Sequence, residues 1–464
     1  MLATAFLMFG NSIFATLLAL RANIEGYPNE LIGLMASAYF LGFALGTFRS
    51  GPLINRIGHI RAFAALSALA SACALLVLLI PNPWVWIALR ATMGAAVAGL
   101  FIVVESWLNN RAANHSRGLL LSIYIMIGYL ASTLGQQALK LGNPAGYELF
   151  LIVGVVLALS LVPVTLTHAT HPDPVETPHL NLRRLFDISP TSVIACLGAG
   201  LIGSAWWGLG PVYALEIGFT INDIAGYMAA GLVGGMLLQL PIGKLSDHLD
   251  RRTVLAGVAV ALVLPSAALI FGANLPVWVV LGSVALFYGL ASTLYPLAIA
   301  YANDYLDPSE VVAASGGFIL AYGVGAVIGP LASSVAMRLL GPGGMFVYII
   351  ATAVALVVFI SWRMRIRQWV PVVEKEPYVL QPDVQAPGIV SDLDPRAEVD
   401  AGYDQGPDIL EPPAAWSDDG GPFSFWLGQS QVADDDIGGT TPTPADAAAA
   451  TGRNTGNDKK ESSR

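Results

Sequence analysis

Long apolar runs alternate with short polar breaks over the first four-fifths of the chain. Their approximate limits are 2–20, 30–49, 62–80, 84–107, 117–138 and 147–166, then 191–214, 223–242, 252–272, 277–301, 311–335 and 343–361. About 20 mostly apolar residues carry a helix across the hydrocarbon core, and runs of this length are too long for barrel strands. Lipid leaves each backbone N–H and C=O to be satisfied within its own segment, which selects helices. The pattern therefore predicts an all-α membrane protein with twelve transmembrane helices. They fall into two six-helix halves, residues 1–166 and 191–370, joined by a polar linker at 167–190. The first run is too long for a cleaved leader and has no basic flank, so it reads as the first span.

Composition agrees with that reading. Of 464 residues 55% are hydrophobic and 12% charged, against about 25% charged in soluble domains. The net charge of -9 is unevenly spread. Residues 1–370 hold 17 Lys/Arg and 14 Asp/Glu, a net of +3, whereas residues 371–464 hold 6 and 18, a net of -12. This last segment is rich in Asp, Pro, Gly, Ala and Thr without apolar periodicity, so it is expected to be a disordered acidic tail. Residues 423–428, around Trp426, are its one aromatic cluster: either a chance apolar run or a docking peptide for a partner.

The loop cations set the expected orientation. One side of the predicted bundle collects Arg56, Arg61, Arg111, Arg117, Arg183, Arg184, Lys244, Arg251, Arg252, Arg363, Arg365 and Arg367. The other has Arg21, Lys140 and Arg338. Short basic loops mark the cytoplasmic face, so both termini, the linker and the tail are expected in the cytosol.

Several chemistries find no support. Cys73 and Cys196 lie inside apolar runs and read as small buried hydrophobes, without disulfide or metal spacing. The six histidines fall in predicted loops, which leaves no imidazole inside a span for metal binding or proton relay. Without a Walker motif or a nucleophile elbow, neither ATP-driven transport nor hydrolysis is indicated. No cofactor and no metal are expected, and nothing marks an enzyme. A membrane-embedded acyltransferase is disfavoured by the missing intramembrane His. A receptor signalling through its tail is a third class, decided by deleting the residues after Glu374.

The chain also repeats itself. At an offset of 192, Gly26 meets Gly218, Tyr27 meets Phe219, Gly42 meets Gly234, Gly51 meets Gly243, and Asn55 falls on Asp247. Repeated halves are how secondary transporters build a site at their interface.

Two loops within the repeat, GPLINRIGHIR (51–61) and GKLSDHLDRR (243–252), resemble the G-x-L-x-D-R-x-G-R motif of the major facilitator superfamily. In the family it lies between the second and third helices, and again between the eighth and ninth. Asn55 replaces the usual Asp in the first copy, and Asp250 replaces the glycine in the second. Arg90-Ala-Thr-Met-Gly94 is similar to the family's R-x-x-x-G in the fourth helix. VESWLNNR (104–111), LYPLAIAYAND (294–304) and YGVGAVIGPLAS (322–333) resemble the YcaD-like branch of bacterial facilitators. The resemblance covers about residues 1–365. It implies secondary transport of a small solute by alternating access, with protons as the expected coupling ion, in a bacterial inner membrane. The runner-up is a multidrug exporter. Against it, the fifth span reads GYLASTLGQQ where exporters carry Gly-Pro, and the comparable G-x-x-x-GP sits in the eleventh.

Candidate site residues follow from charges and polar groups inside spans. Arg90 and Glu105 share one predicted helix, about 22 Å apart along its axis. Arg90 either snorkels to the interface or faces a central cavity and receives an anionic group. The resemblance favours the cavity; Arg90 itself points to a polar or anionic solute, and with no acid in the first span Asn11 is its best polar neighbour. Glu105 is expected near Arg56 and Arg61, and Asp304 near Arg251, Arg252 and Asp247. Together they would form a cytoplasmic gate of ion pairs. Exposed pairs are worth only about 0–1 kcal/mol, yet they bias a two-state equilibrium when made in one state alone. Cavity-lining candidates are Asn11, Tyr39, Tyr124, Tyr129, Gln136, Trp206, Trp207, Gln239, Tyr288, Tyr295 and Tyr322, although many aromatic residues in spans serve as belt or packing groups. Kinks are expected at 208–211, Pro296 and Pro330, and close helix approach at Gly42/Gly46 and Gly325/Gly329.

Overall fold

Twelve helices are long and apolar enough to cross a membrane. The computed structural model describes residues 1–111, 117–166, 185–186, 188–306 and 311–366. The predicted acidic tail with Trp426 and most of the predicted linker lie outside the described residues, as do Arg183, Arg184, Arg367 and four of the histidines. The first half comprises α1 (Leu2–Ile24), α2 (Asn29–Ile57), α3 (His59–Leu79), α4 (Pro83–Arg111), α5 (Arg117–Ala138) and α6 (Glu148–Thr165). The second comprises α7 (Pro190–Glu216), α8 (Ile221–His248), α9 (Arg251–Ile270), α10 (Val277–Asn303), α11 (Val311–Leu340) and α12 (Gly344–Ile366). No strand occurs among the described residues.

At one end the helices outrun the apolar runs that predicted them. α2 continues to Ile57 and α8 to His248, through the two repeat loops. A helix needs apolar side chains only while it is in lipid, so hydropathy cannot mark where it stops. Gly58, at φ 87°, ends α2. α6 breaks at Ser160 and α9 at Leu262. Each break lies three residues before a proline, Pro163 and Pro265, whose missing N–H leaves the carbonyl four residues back without its helical donor. The expected interruption at 208–211 is different: α7 stays helical through Pro211, as α10 does through Pro296 and α11 through Pro330.

The repeat is visible in the backbone. Gly26 and Gly218 turn the chain between the first two helices of each half with φ of 77° and 93°, a region that L side chains avoid. Gly42 of α2 lies against the carbonyl of Ala91 in α4, and Gly234 of α8 against that of Ala285 in α10; a Cβ on either glycine would overlap the oxygen. Small residues let membrane helices meet backbone to backbone. Gly46 meets Ala95 likewise, and Gly325 and Gly329 of α11 lie on Leu197 and Leu201 of α7. The halves face each other through α2 on α11 and α5 on α8, with α1 and α2 also touching α7.

Candidate functional site

Where α1, α2, α4 and α7 converge, they leave a small cleft, open on one side. Ala15, Leu18, Ala19, Ile32, Met35, Ala36 and Arg90 line it from the first half, and Trp207 and Gly208 from the second. Arg90 is only 6% exposed, so it does not snorkel. Its guanidinium carbon lies 4.4 Å from the ring centre of Tyr39 and 5.6 Å from that of Phe14. Such cation–π contacts are worth about 0.5–2 kcal/mol, more as water is excluded. Its Nη1 has no hydrogen-bond partner among the described residues.

The short motif around Arg90 explains this placement. Gly94, one turn later, packs against the Tyr39 carbonyl, which a Cβ would overlap. That close approach of α4 to α2 brings Arg90 over the Tyr39 ring. Asn11 meets the same ring: its Nδ2 donates to the Tyr39 hydroxyl at 3.1 Å. Tyr39, an unranked member of the sequence-derived list, is thus the residue that stands between the two.

Aromatic groups of the second half back the opposite wall. The Trp207 indole N–H donates to the Tyr288 hydroxyl at 2.9 Å, and that of Trp206 to the Tyr227 hydroxyl at 3.2 Å. Trp206 also stacks on Tyr288 with ring centres 4.1 Å apart. Tyr295 and Tyr322 meet edge to face at 5.3 Å, and neither belongs to the described lining of the cleft. Gln136 is turned elsewhere. Its Oε1 accepts from Thr16 at 2.9 Å while its Nε2 donates to the Ser12 carbonyl and hydroxyl at 3.0 and 2.8 Å, which fastens α1 to α5.

The expected gate residues occupy two separate places. Glu105 is fully buried and accepts from the Tyr124 hydroxyl at 2.9 Å, whereas Arg56 and Arg61 are exposed. Arg251 is fully buried. It donates to Asp304 Oδ1 and the Ala300 carbonyl, both at 2.5 Å, and to Asp247 at 3.2 Å. These contacts bind α8, α9 and α10 of one half to each other. The histidine nearest it in the repeat, His59, heads α3 and is buried; His248 closes α8.

Polar contacts between the halves appear at the opposite end. Arg338 pairs with Glu30 at 2.9 Å, Asn29 donates to Glu216 at 2.9 Å, and Gln137 donates to the Ala225 carbonyl at 3.2 Å. None of these was among the sequence-derived candidates. The available signal was slight: Arg338 is one of three cations on the sparsely basic side.

A family model, the Major Facilitator Superfamily, matches residues 1–238 and again 195–387. YcaD of Escherichia coli, an uncharacterized MFS-type transporter, is 30% identical over 347 residues that cover 73% of this chain and 88% of YcaD. An uncharacterized MFS-type transporter of Enterobacter sp. is 29% identical over 350 residues, covering 74% and 89%. Among solved structures, the nucleoside transporter NupG superposes with a TM-score of 0.65 at 14% identity, covering 78% of this chain and 96% of NupG. A bacterial homolog of the human lysosomal transporter Spinster, inward-facing and unoccupied, gives 0.56 at 16% identity, covering 86% and 98%. At these identities the structural likeness carries the fold alone.

Proposed function

The chain belongs to the major facilitator superfamily, a family of transporters, and from that premise we propose alternating access to a polar or anionic small solute whose negative group is received by Arg90. One observation carries the proposal: a buried guanidinium with an unsatisfied N–H lines a cleft between the halves. Ionisable groups inside a membrane protein are expensive and mark solute pathways, and buried donors are ordinarily paired. A donor left open at the meeting of two repeats suits a ligand that arrives and leaves.

The proposed coupling ion is the proton, with the buried carboxyl of Glu105 as its carrier. The excess of Lys and Arg in its loops supports a cytosolic location for the Arg251 end, and with it for both termini and any partner of the tail segment around Trp426. In the state described, the Arg338–Glu30 and Asn29–Glu216 contacts then hold the outer side shut.

A thermal-shift screen of the purified protein against metabolites and drugs tests the assignment, with Arg90→Ala alongside. A ligand at 100 times its Kd adds about 2.7 kcal/mol of stability. Anions that stabilise the native protein and not the variant support the role of Arg90. Hydrophobic cations that stabilise both equally would replace it with the exporter reading.

A further inference from the structure

The cleft holds a single cation among apolar surfaces, and that restricts what can occupy it. Arg90 is its charged residue, and the one other polar group of the described lining, the Trp207 N–H, is already committed to Tyr288. The remaining lining is alanine, leucine, isoleucine, methionine and glycine. Tyr39 and Phe14 both approach the guanidinium through their rings. Its planar fork of N–H donors matches the two oxygens of a carboxylate.

We infer that the transported solute is a small organic monoanion, a carboxylate on an apolar body. This deepens the proposed role of Arg90 and rests on it. A zwitterion would bring an ammonium into a lining with no acidic partner, since Glu105 lies on the same helix about 22 Å away. A dianion would bury its second carboxylate without a counter-charge. Sugars and nucleosides would carry several hydroxyls into a wall of methyl and methylene groups, where each unpaired hydroxyl weakens binding. A carboxylate with a short aliphatic or aromatic body leaves no polar group unmatched. Its apolar part would lie along Leu18, Ile32 and Met35 of the first half, opposite the Trp207 ring.

Counterflow uptake into proteoliposomes tests this with the full chain and six probes: butyrate, benzoate, succinate, alanine, uridine and tetraphenylphosphonium. Native protein, Arg90→Ala and Arg90→Lys are compared after confirming equal reconstitution and melting behaviour. Butyrate or benzoate is expected to exchange. Arg90→Ala should lower that exchange by about tenfold or more, and Arg90→Lys, which keeps the charge but loses the planar fork, should retain an intermediate rate. If succinate or alanine is the Arg90-dependent solute, the monoanion class is overturned while Arg90 survives as an anion site. If uridine or tetraphenylphosphonium exchanges equally in all three proteins, the role of Arg90 falls as well. Absence of any Arg90-dependent signal from both monocarboxylates also overturns the inference.

Discussion

The third helix of each half opens on a buried basic residue, and the two residues differ in kind. His59 begins α3 and Arg251 begins α9, 192 positions apart, the offset that also relates Gly42 to Gly234. One turn earlier stand Asn55, exposed, and Asp247, which accepts from Arg251. One backbone corner therefore carries two chemistries. In the second half a guanidinium with five N–H donors grips two carboxylates and a carbonyl, with Asp304 only 2% exposed. In the first half an imidazole with two nitrogens takes its place, beside an amide that bears no charge. The repeat preserves the place of the corner, and in the second half an ion-paired guanidinium fixes it.

The comparison can be broken by unequal cuts. Arg251→Ala would leave Asp304 buried without its partner, and losing one member of a buried pair costs about 3–5 kcal/mol. The largest drop in melting temperature is expected here, with loss of folded protein on extraction. Gly94→Ala comes next, because its Cβ meets the Tyr39 carbonyl and overpacking costs about 1–3 kcal/mol; anion-dependent stabilisation should fall with it as Arg90 leaves the ring. His59→Ala should cost less than Arg251→Ala in the same melting experiment. Equal losses at His59 and Arg251 would show that the corners are equivalent after all.

Two smaller effects sharpen the picture. Glu105→Gln keeps an acceptor for Tyr124, so stability should change by less than about 1 kcal/mol. Uptake driven by a pH gradient should nevertheless disappear while exchange persists; retained gradient-driven uptake would remove Glu105 from coupling. The smallest change in stability is expected from Arg338→Ala, since its pair with Glu30 is exposed and such pairs contribute about 0–1 kcal/mol. Its signature would be a shift in distance between spin labels on the outer ends of α2 and α11.

Much of the fold was legible because lipid imposes a single requirement, a long apolar helix, and the chain meets it twelve times. The register of the repeat was legible through glycines, required by backbone contact at Gly42 and Gly234 and by positive φ at Gly26 and Gly218. Arg90 was legible as a charge in an apolar run. Its surroundings were not, because the ring beneath it belongs to another helix. Partnerships across the bundle left still less trace: Glu30 and Arg338 are 308 positions apart, and no local periodicity reports such a meeting. The contact of Glu105 with Tyr124 of the neighbouring helix likewise left no trace in the sequence.

The backbone contact of α2 with α4, at Gly42, Gly46 and Gly94, has a mechanical consequence. Two rods whose main chains interlock at three points cannot slide by fractions of a turn. They must travel as one beam, and Gly234 on Ala285 makes the same kind of joint between α8 and α10. The play of a transport stroke built on such beams would have to come from the seams between the halves, of which α2 against α11 has one contact of this kind, Gly33 on the Pro330 carbonyl. Arg90, carried on α4 and braced on α2 by Tyr39, rides inside one beam, so the grip proposed for it would keep a fixed shape through the stroke.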